Sequence, residues 1–376
     1  MLALPVPEFR AKRTFNEHLK RMQFWPSTPM RALVSQTVTF DNRTWPSGVD
    51  VVDETGFVDD RVSKLPASLR SVGRRWYVLR FALHVLRRSY KYDGMAIGRY
   101  GVWFPPLYRL LGGTCRVLMS DTEWTGSGTG RLIRLAARCA DVIQANTRVE
   151  ISRYSKWLNI PEHRFKFIPV AFQEYDLRST TDSGYIFAGG VNGRDWKTLL
   201  EAITGLPYKV KIFTTERLNT PQGNIEICRG TRKEYYDAMA ASSCVVVPIL
   251  PEPLRITGIA TYTVAMALGK PVIVTDPEGA PDYMDLGISG YFVNYGDSGG
   301  LRKYLTQLME DPLLRSRVGE EAKKRAWRDF SPAVYQRRIL QELGWTASDA
   351  NSDSEFVGIA PPKNKNASLQ QAGSSS

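Results

Sequence analysis

Two stretches of this chain bring glycines, cations and a hydroxyl together at spacings that suit a diphosphate. The first is YIFAGGVNGRDWKTLLEAI, residues 185–203. An apolar strand runs into Gly189-Gly190, the chain turns through Asn192-Gly193, and a helix begins near Asp195. Glycine lets backbone approach a phosphate closely, and a helix N-terminus offers amide donors and a positive dipole. Arg194 and Lys197 stand where cations can neutralise two phosphates. The second stretch is VVVPILPEPLRITGIATYTVAMALGKPVIVTD, residues 245–276. A buried strand ends at Pro248, a loop carries Arg255, and Thr257-Gly258-Ile259 opens a helix. Its amides and the Thr257 hydroxyl can bind a phosphate in the same manner. Gly269-Lys270-Pro271 then stops that helix and starts a strand. Either stretch alone also describes an ordinary strand-turn-helix unit.

A second kind of chemistry sits earlier in the chain. The strand CRVLMS (115–120) runs into Asp121 and Glu123, with Trp124 beside them. A hydroxyl that attacks as a nucleophile needs a base within hydrogen-bond reach, and Asp121 is the candidate, with Glu123 next to it. The alternative is that Asp121 caps the following turn. The strand DGMAIG (93–98) ends on Arg99-Tyr100, which either steers an anionic group or lays its stem along the surface. His84 lies inside a basic helix and reads as structural. With only three histidines, a histidine metal site is not expected.

The elements that must position these residues alternate along the chain. Residues 1–30 show no clear pattern. Strands are expected at ALVSQTVTF, VDVVDE, DGMAIG, CRVLMS and DVIQAN, with helices around FPPLYRLLG and over 130–140, and a closing strand at KFIPVAF. Short apolar strands alternating with helices imply a parallel sheet. The polar segment 171–183 reads as an interdomain linker. The alternation restarts at YIFAGG and continues through YKVKIFTT, NIEICRG, CVVVPI, PVIVTD and SGYFVN to helices over 297–345. This is a doubly wound domain with its ligand edge at the strand C-termini. The expected organisation is an N-terminal domain over 1–170, the linker, a C-terminal domain over 184–345 and a disordered tail over 346–376.

Residues 70–92, RSVGRRWYVLRFALHVLRRSYKY, read as a basic amphipathic helix. Trp76, Leu79, Leu83 and Leu86 recur at helical spacing, and Arg74, Arg75, Arg80, Arg87, Arg88 and Lys91 carry the charge. The helix either packs on a sheet as a solvated surface element or meets a membrane. The charge balance is uneven. Residues 1–170 hold 27 Lys/Arg against 14 Asp/Glu, and residues 171–376 hold 23 against 24, so the whole net charge of +12 arises in the first half. Such asymmetry points to an anionic surface or ligand met by that half alone. No helix-turn-helix, zinc knuckle or RNA-binding aromatic signature accompanies it, so nucleic acid is not the expected partner. Four cysteines, Cys115, Cys139, Cys228 and Cys244, stand in or beside apolar runs without a CxxC pair and are expected to be buried free thiols. Neither a signal-peptide core nor an 18-residue apolar run is present, which predicts a cytoplasmic protein, soluble or peripheral on the inner face of the membrane.

The order FAGG…RDWKTLLEAI, CRGTRKEYYDAMAASSCVVVPI, TGIATYTVAMALGKPVIVTD and DLGISGYFVNYGD resembles the C-terminal domain of group 1 (family 4-like) glycosyltransferases. AMALGKPVIVTD is its most specific piece, and the similarity runs from about residue 141 to 330. The resemblance implies two Rossmann-like domains facing across a cleft, the GT-B arrangement, in an α/β fold. It implies a C-terminal domain that binds a nucleoside diphosphate sugar without a required metal or other cofactor, and an N-terminal domain that binds the acceptor. Arg194 and Lys197 would then contact the diphosphate, Thr257-Gly258-Ile259 would cradle it, Gly189 and Gly190 would allow close approach, and Arg229 would stand at the rim of the nucleotide pocket. Two departures stand out. The family's paired glutamates, eight residues apart, correspond here to Ile256 and Val264, with Glu252 or Glu278 as substitutes. The glycine-rich loop after the first strand is missing from LVSQTVTFDN.

The expected activity is therefore transfer of a hexose from a nucleoside diphosphate sugar to a hydroxyl acceptor. A sugar or lipid-linked acceptor at an anionic membrane surface suits the basic first half, with Arg99, Arg74, Arg75, Arg87 and Arg88 facing it. A sugar-nucleotide 2-epimerase and a non-catalytic nucleotide-sugar-binding protein are the alternatives.

Overall fold

The computed structural model describes residues 30–36, 45–54, 61–120, 130–190, 193–220 and 223–345. Their contacts divide into two units. Among the described residues, the first holds those up to 120, then 130–143 and 340–345; the second holds those from 144 to 339. Short apolar runs alternate with helices along the chain and build two six-stranded sheets.

In the first sheet the order is β2-β1-β3-β4-β5-β6: β1 is Ala32–Gln36, β2 Val49–Asp53, β3 Gly94–Ile97, β4 Arg116–Met119, β5 Val142–Ala145 and β6 Phe165–Phe167. The pairings of β1 with β2 and β3, of β3 with β4 and of β4 with β5 are parallel. The order reverses at β1, as in a doubly wound sheet. Its crossover helices are α1 (Arg70–Arg88), α2 (Phe104–Leu110) and α3 (Gly130–Cys139). α1 turns Phe81, Ala82 and Val85 inward. That corrects the expected stripe, because Trp76 and Leu83 are exposed and the helix carries apolar residues on two sides. The last strand is also shorter than KFIPVAF suggested: it stops at Phe167, two residues before Pro169.

The second sheet runs β12-β11-β10-β7-β8-β9, from β7 (Tyr185–Gly189), β8 (Lys209–Phe213), β9 (Ile225–Cys228), β10 (Cys244–Val247), β11 (Val272–Val274) and β12 (Tyr291–Phe292). All its pairings are parallel. A sheet covered on both faces needs strands that are apolar throughout, and alternate side chains must enter opposite layers. Tyr185, Phe187, Val245 and Val247 enter one core with α6 (Arg232–Ala241) and α7 (Ile259–Ala267). Ile186, Ala188, Cys244 and Val246 enter the other with α5 (Trp196–Ile203) and α8 (Ser298–Glu310). α4 (Arg148–Leu158) precedes β6, and α9 (Pro312–Asp329) covers α7, with Trp327 donating to the Ala267 carbonyl at 3.2 Å. The chain sequence runs outward from β7 through β8 and β9, then returns to β10 on its other side. The switch point therefore lies between β7 and β10.

Residues 171–183, read from sequence as the linker, lie inside the second unit. Their backbone is tied down there: Phe172 donates to the Phe330 carbonyl, Thr181 to that of Ala240 and Ser183 to that of Ala241. The last helix, α10 (Pro332–Leu343), begins in the second unit and ends in the first. All four cysteines are free, but only Cys244 is buried; the other three are partly exposed because they stand at strand and helix ends. The expected tail lies outside the described residues.

Candidate functional site

The two phosphate-like turns of the sequence meet at the switch point of the second sheet. Gly189 closes β7, and Gly190 follows it with φ 140°, a backbone region that glycine alone adopts freely. The chain then folds back so that Arg194 pairs with Ile249 and Leu250 donates to the Gly193 carbonyl at 2.9 Å. This knits the turn after β7 to the loop after β10. Asp195 caps α5 by accepting from the Thr198 amide at 3.1 Å. Gly258, at φ 81°, is the residue before α7, so the helix opens there as the sequence predicted.

Arg194 is the centre of this arrangement. Its side chain is 8% exposed and turns back beneath the glycines, with Nε donating to the Gly189 carbonyl at 3.1 Å and a terminal nitrogen 3.5 Å from the Thr261 hydroxyl on α7. Burial lowers its pKa from the usual arginine value, yet a guanidinium stays charged at neutral pH. A fixed, desolvated cation beside two glycines and a helix N-terminus has the chemistry to receive an anion. Thr257 adds to it: its hydroxyl is buried without a hydrogen-bond partner among the described residues. A Cβ built on Gly193 would stand 3.3 Å from that hydroxyl and 3.2 Å from a carboxylate oxygen of Glu252. Tyr235 of α6 closes the other side, its hydroxyl oxygen 2.7 Å from a Cβ built on Gly189, and burial raises its phenol pKa.

The other expected residues fall differently. Lys197 lies in the first turn of α5 with a side chain 85% exposed, 4.0 Å from Glu201. Arg229 is exposed and follows β9, the edge strand, two strands away from β7. Ile256 and Val264 are buried apolar residues, so neither offers a carboxylate. The two proposed substitutes are engaged: Glu252 pairs with Arg255 at 2.8 Å, and Glu278 with Arg153 at 2.7 Å.

Glu150 was not legible as a site residue. It is fully buried at the start of α4 and accepts three backbone hydrogen bonds: from Asn146 (2.8 Å), Thr147 (3.2 Å) and Ile256 (2.8 Å). Desolvation pushes its pKa up to about 7, against the pull of those three amides and of Arg153. The sequence signal was the capping-box spacing of Thr147 and Glu150, which foretells a helix start but not a partner 106 residues away.

Asp121 and Glu123 lie outside the described residues. Arg99 is exposed and stacks on Tyr100, 4.9 Å from the ring centroid. Arg74, Arg75, Arg87 and Arg88 are all exposed on α1. His84 is partly buried, and burial with the neighbouring arginines Arg88 and Arg87 lowers its pKa. Glu54, also missed, is buried after β2 and accepts from Ser35, Gly98 and Tyr100. It fastens the ends of β1 and β3. Among the described residues no cluster of His, Cys, Asp and Glu suits a metal ion, and no helix is long and apolar enough to cross a membrane.

Residues 222–325, which include β10, the Thr257-Gly258 turn, α7 and the GKP strand, match the model of the family "Glycosyl transferases group 1". This segment is similar to group 1 glycosyltransferase domains. The two sheets of the chain are those of the GT-B fold. Among solved structures the chain is similar to HepE of Anabaena in complex with UDP-glucose, with a TM-score of 0.60 at 14% identity over 84% of this chain and 99% of that one. It is similar to a glycosyltransferase of Rickettsia africae (TM-score 0.59, 13% identity, 87% and 100% covered). A third is sucrose-phosphate synthase of Thermosynechococcus elongatus (TM-score 0.56, 13% identity, 74% and 79% covered). No curated protein sequence matches this chain.

Proposed function

We propose that this protein is a glycosyltransferase that moves a hexose from a nucleoside diphosphate sugar to a hydroxyl acceptor. The observation that carries the reading is Arg194, buried beneath Gly189-Gly190 and facing the Thr257-Gly258 helix start. Departure of the diphosphate leaves negative charge that must be offset as the glycosidic bond breaks. Pre-set cations and amides do this without reorganising. The HepE relative, described with UDP and with UDP-glucose, supports a uridine diphosphate sugar as the first donor to try. In this reading Lys197 and Arg229 lend charge from the rim, Asp121 takes the acceptor proton with Glu123 beside it, and transfer continues in the presence of EDTA. The test is a thermal-shift panel of nucleoside diphosphates and their sugars, since a ligand that binds only the native state raises its melting point. A flat panel refutes the reading. Release of free diphosphate only when an acceptor is present separates transfer from epimerisation.

The finer reading is that the acceptor lies at an anionic membrane surface. Support comes from the first unit. From residue 61 to 120 there is one acidic residue, Asp93, among 12 Lys and Arg. Along α1, Val72 and Trp76 are exposed beside Arg74 and Arg75; α2 packs on α1 and ends at exposed Leu110-Leu111. Apolar anchors ringed by arginine suit the headgroup layer of an anionic bilayer. Sedimentation with anionic vesicles at low salt, absent with neutral ones, is the expected result; no binding to either would refute it.

A further inference from the structure

The phosphate turn is held from behind by a helix that carries no phosphate ligand. α4 reaches the loops after β10 and β11 through three side chains. The Arg148 backbone amide donates to Asp282 at 2.6 Å, and its guanidinium pairs with the same carboxylate. Arg153 spans Glu278 and the Glu252 carbonyl, the latter at 3.3 Å. Between them, Glu150 faces Ile256.

The two oxygens of Glu150 divide their work. One completes the capping box, accepting from Asn146 and Thr147. Capping asks for no more than that. The other oxygen is spent on the amide of Ile256, the residue immediately before Thr257 and Gly258. Ile256 is itself wedged: a Cβ on Gly279 would stand 2.7 Å from its side chain. A loop that must present an unpaired hydroxyl and a left-handed glycine to a ligand needs such a fixed point, because a free loop would have to be ordered at the expense of binding.

We propose that Glu150 is a positioning residue for the donor site: its carboxylate fixes Ile256, and so holds the Thr257-Gly258 turn in the form that receives phosphate. The inference rests on the nucleotide-sugar reading above for its functional consequence, and on geometry alone for the hold itself. The experiment compares Thr147→Ala, Glu150→Ala and Glu150→Gln with the wild-type chain. Two quantities are read: UDP affinity by calorimetry, and hydrogen exchange of the amides of residues 256–259 without ligand. Thr147→Ala removes the helix cap alone, so it lowers the melting temperature yet leaves UDP affinity within about twofold. Glu150→Ala weakens UDP binding by about tenfold and speeds exchange at 256–259. Glu150→Gln lies between, because its one carbonyl oxygen serves the cap or Ile256 but not both. Should Glu150→Ala fail to fold, the isosteric Gln variant decides. Wild-type UDP affinity and exchange in both Glu150 variants would overturn the proposal. A wild-type chain that binds no nucleoside diphosphate overturns the donor reading instead, while the exchange data still judge the hold on the turn.

Discussion

The guanidinium of Arg194 occupies the space that a side chain on Gly190 would need. Glycine at this position is thus required twice, by its φ of 140° and by the cation behind it. Gly190→Ala is expected to cost about 1–2 kcal/mol of stability through backbone strain, and to push Arg194 out of its seat. Donor affinity should fall by about tenfold or more, a loss of at least about 1.4 kcal/mol. Urea unfolding and UDP titration together check this; an unchanged affinity would separate the glycine from the site.

Arg194 and Lys197 were read from the sequence as a pair, but only Arg194 is built in. Arg194→Ala should reduce kcat/KM by about ten- to a hundredfold, the range for a charged hydrogen bond. Arg194→Lys should recover little, since an ammonium cannot reproduce the planar fork. Lys197→Ala should lose less than Arg194→Ala, and its exposed pair with Glu201 should contribute no more than about 0.5 kcal/mol to stability. Equal losses for the two alanine variants would contradict this ranking.

Glu150 predicts a pH signature. Its pKa is about 7 in the folded chain against 4.5 for the free side chain. The folded state thus holds this proton more tightly than the unfolded state. The associated stability is fully present below pH 4.5, falls as pH rises towards 7, and is absent above; the full change is about 3 kcal/mol. Arg153 works against the shift, and the buried hydroxyls of Tyr262 and Tyr283 face the same carboxylate. Glu150→Gln lacks this titration, so the stability of the wild-type chain relative to the variant should drop between pH 5 and pH 8. Parallel urea curves at the two pH values give the answer, and a constant difference would count against it.

Gly258 makes a separate case. At φ 81°, a Cβ there would lie 2.9 Å from Ile249 and from Val247. Gly258→Ala should destabilise the fold by about 1–3 kcal/mol and weaken phosphate binding in step, as overpacking at a left-handed position does. Melting curves with and without UDP would show both effects, and a variant as stable as the wild-type chain would show that the turn tolerates a side chain.

The doubly wound fold was legible because buried parallel strands write themselves as short apolar runs, such as CVVVPI and PVIVTD. The two glycine turns, after β7 and before α7, were legible because glycine, arginine and a helix start have a local signature. What escaped was non-local. Nothing near Glu150 announces that its second oxygen serves Ile256, and nothing near Glu54 announces Gly98. The face of α1 was misjudged for a related reason. A helix apolar on two sides leaves periodicity without a unique answer, and the sheet beneath selected Phe81, Ala82 and Val85. Segment 171–183 looked like a linker by composition, yet backbone bonds to Ala240, Ala241 and Phe330 fasten it.

The end of α10 belongs with the first unit although the rest of that helix belongs with the second. Glu342 pairs with Arg116 beside β4, Leu343 packs against Gly94 of β3, and Trp345 touches Gly48 before β2. No single scission can therefore yield both units intact: a fragment ending at residue 143 lacks these closing residues, and one starting at 144 carries them orphaned. The two halves are stitched rather than strung. An independently expressed first half should recover its cooperative unfolding only when a peptide spanning 332–345 is supplied in trans.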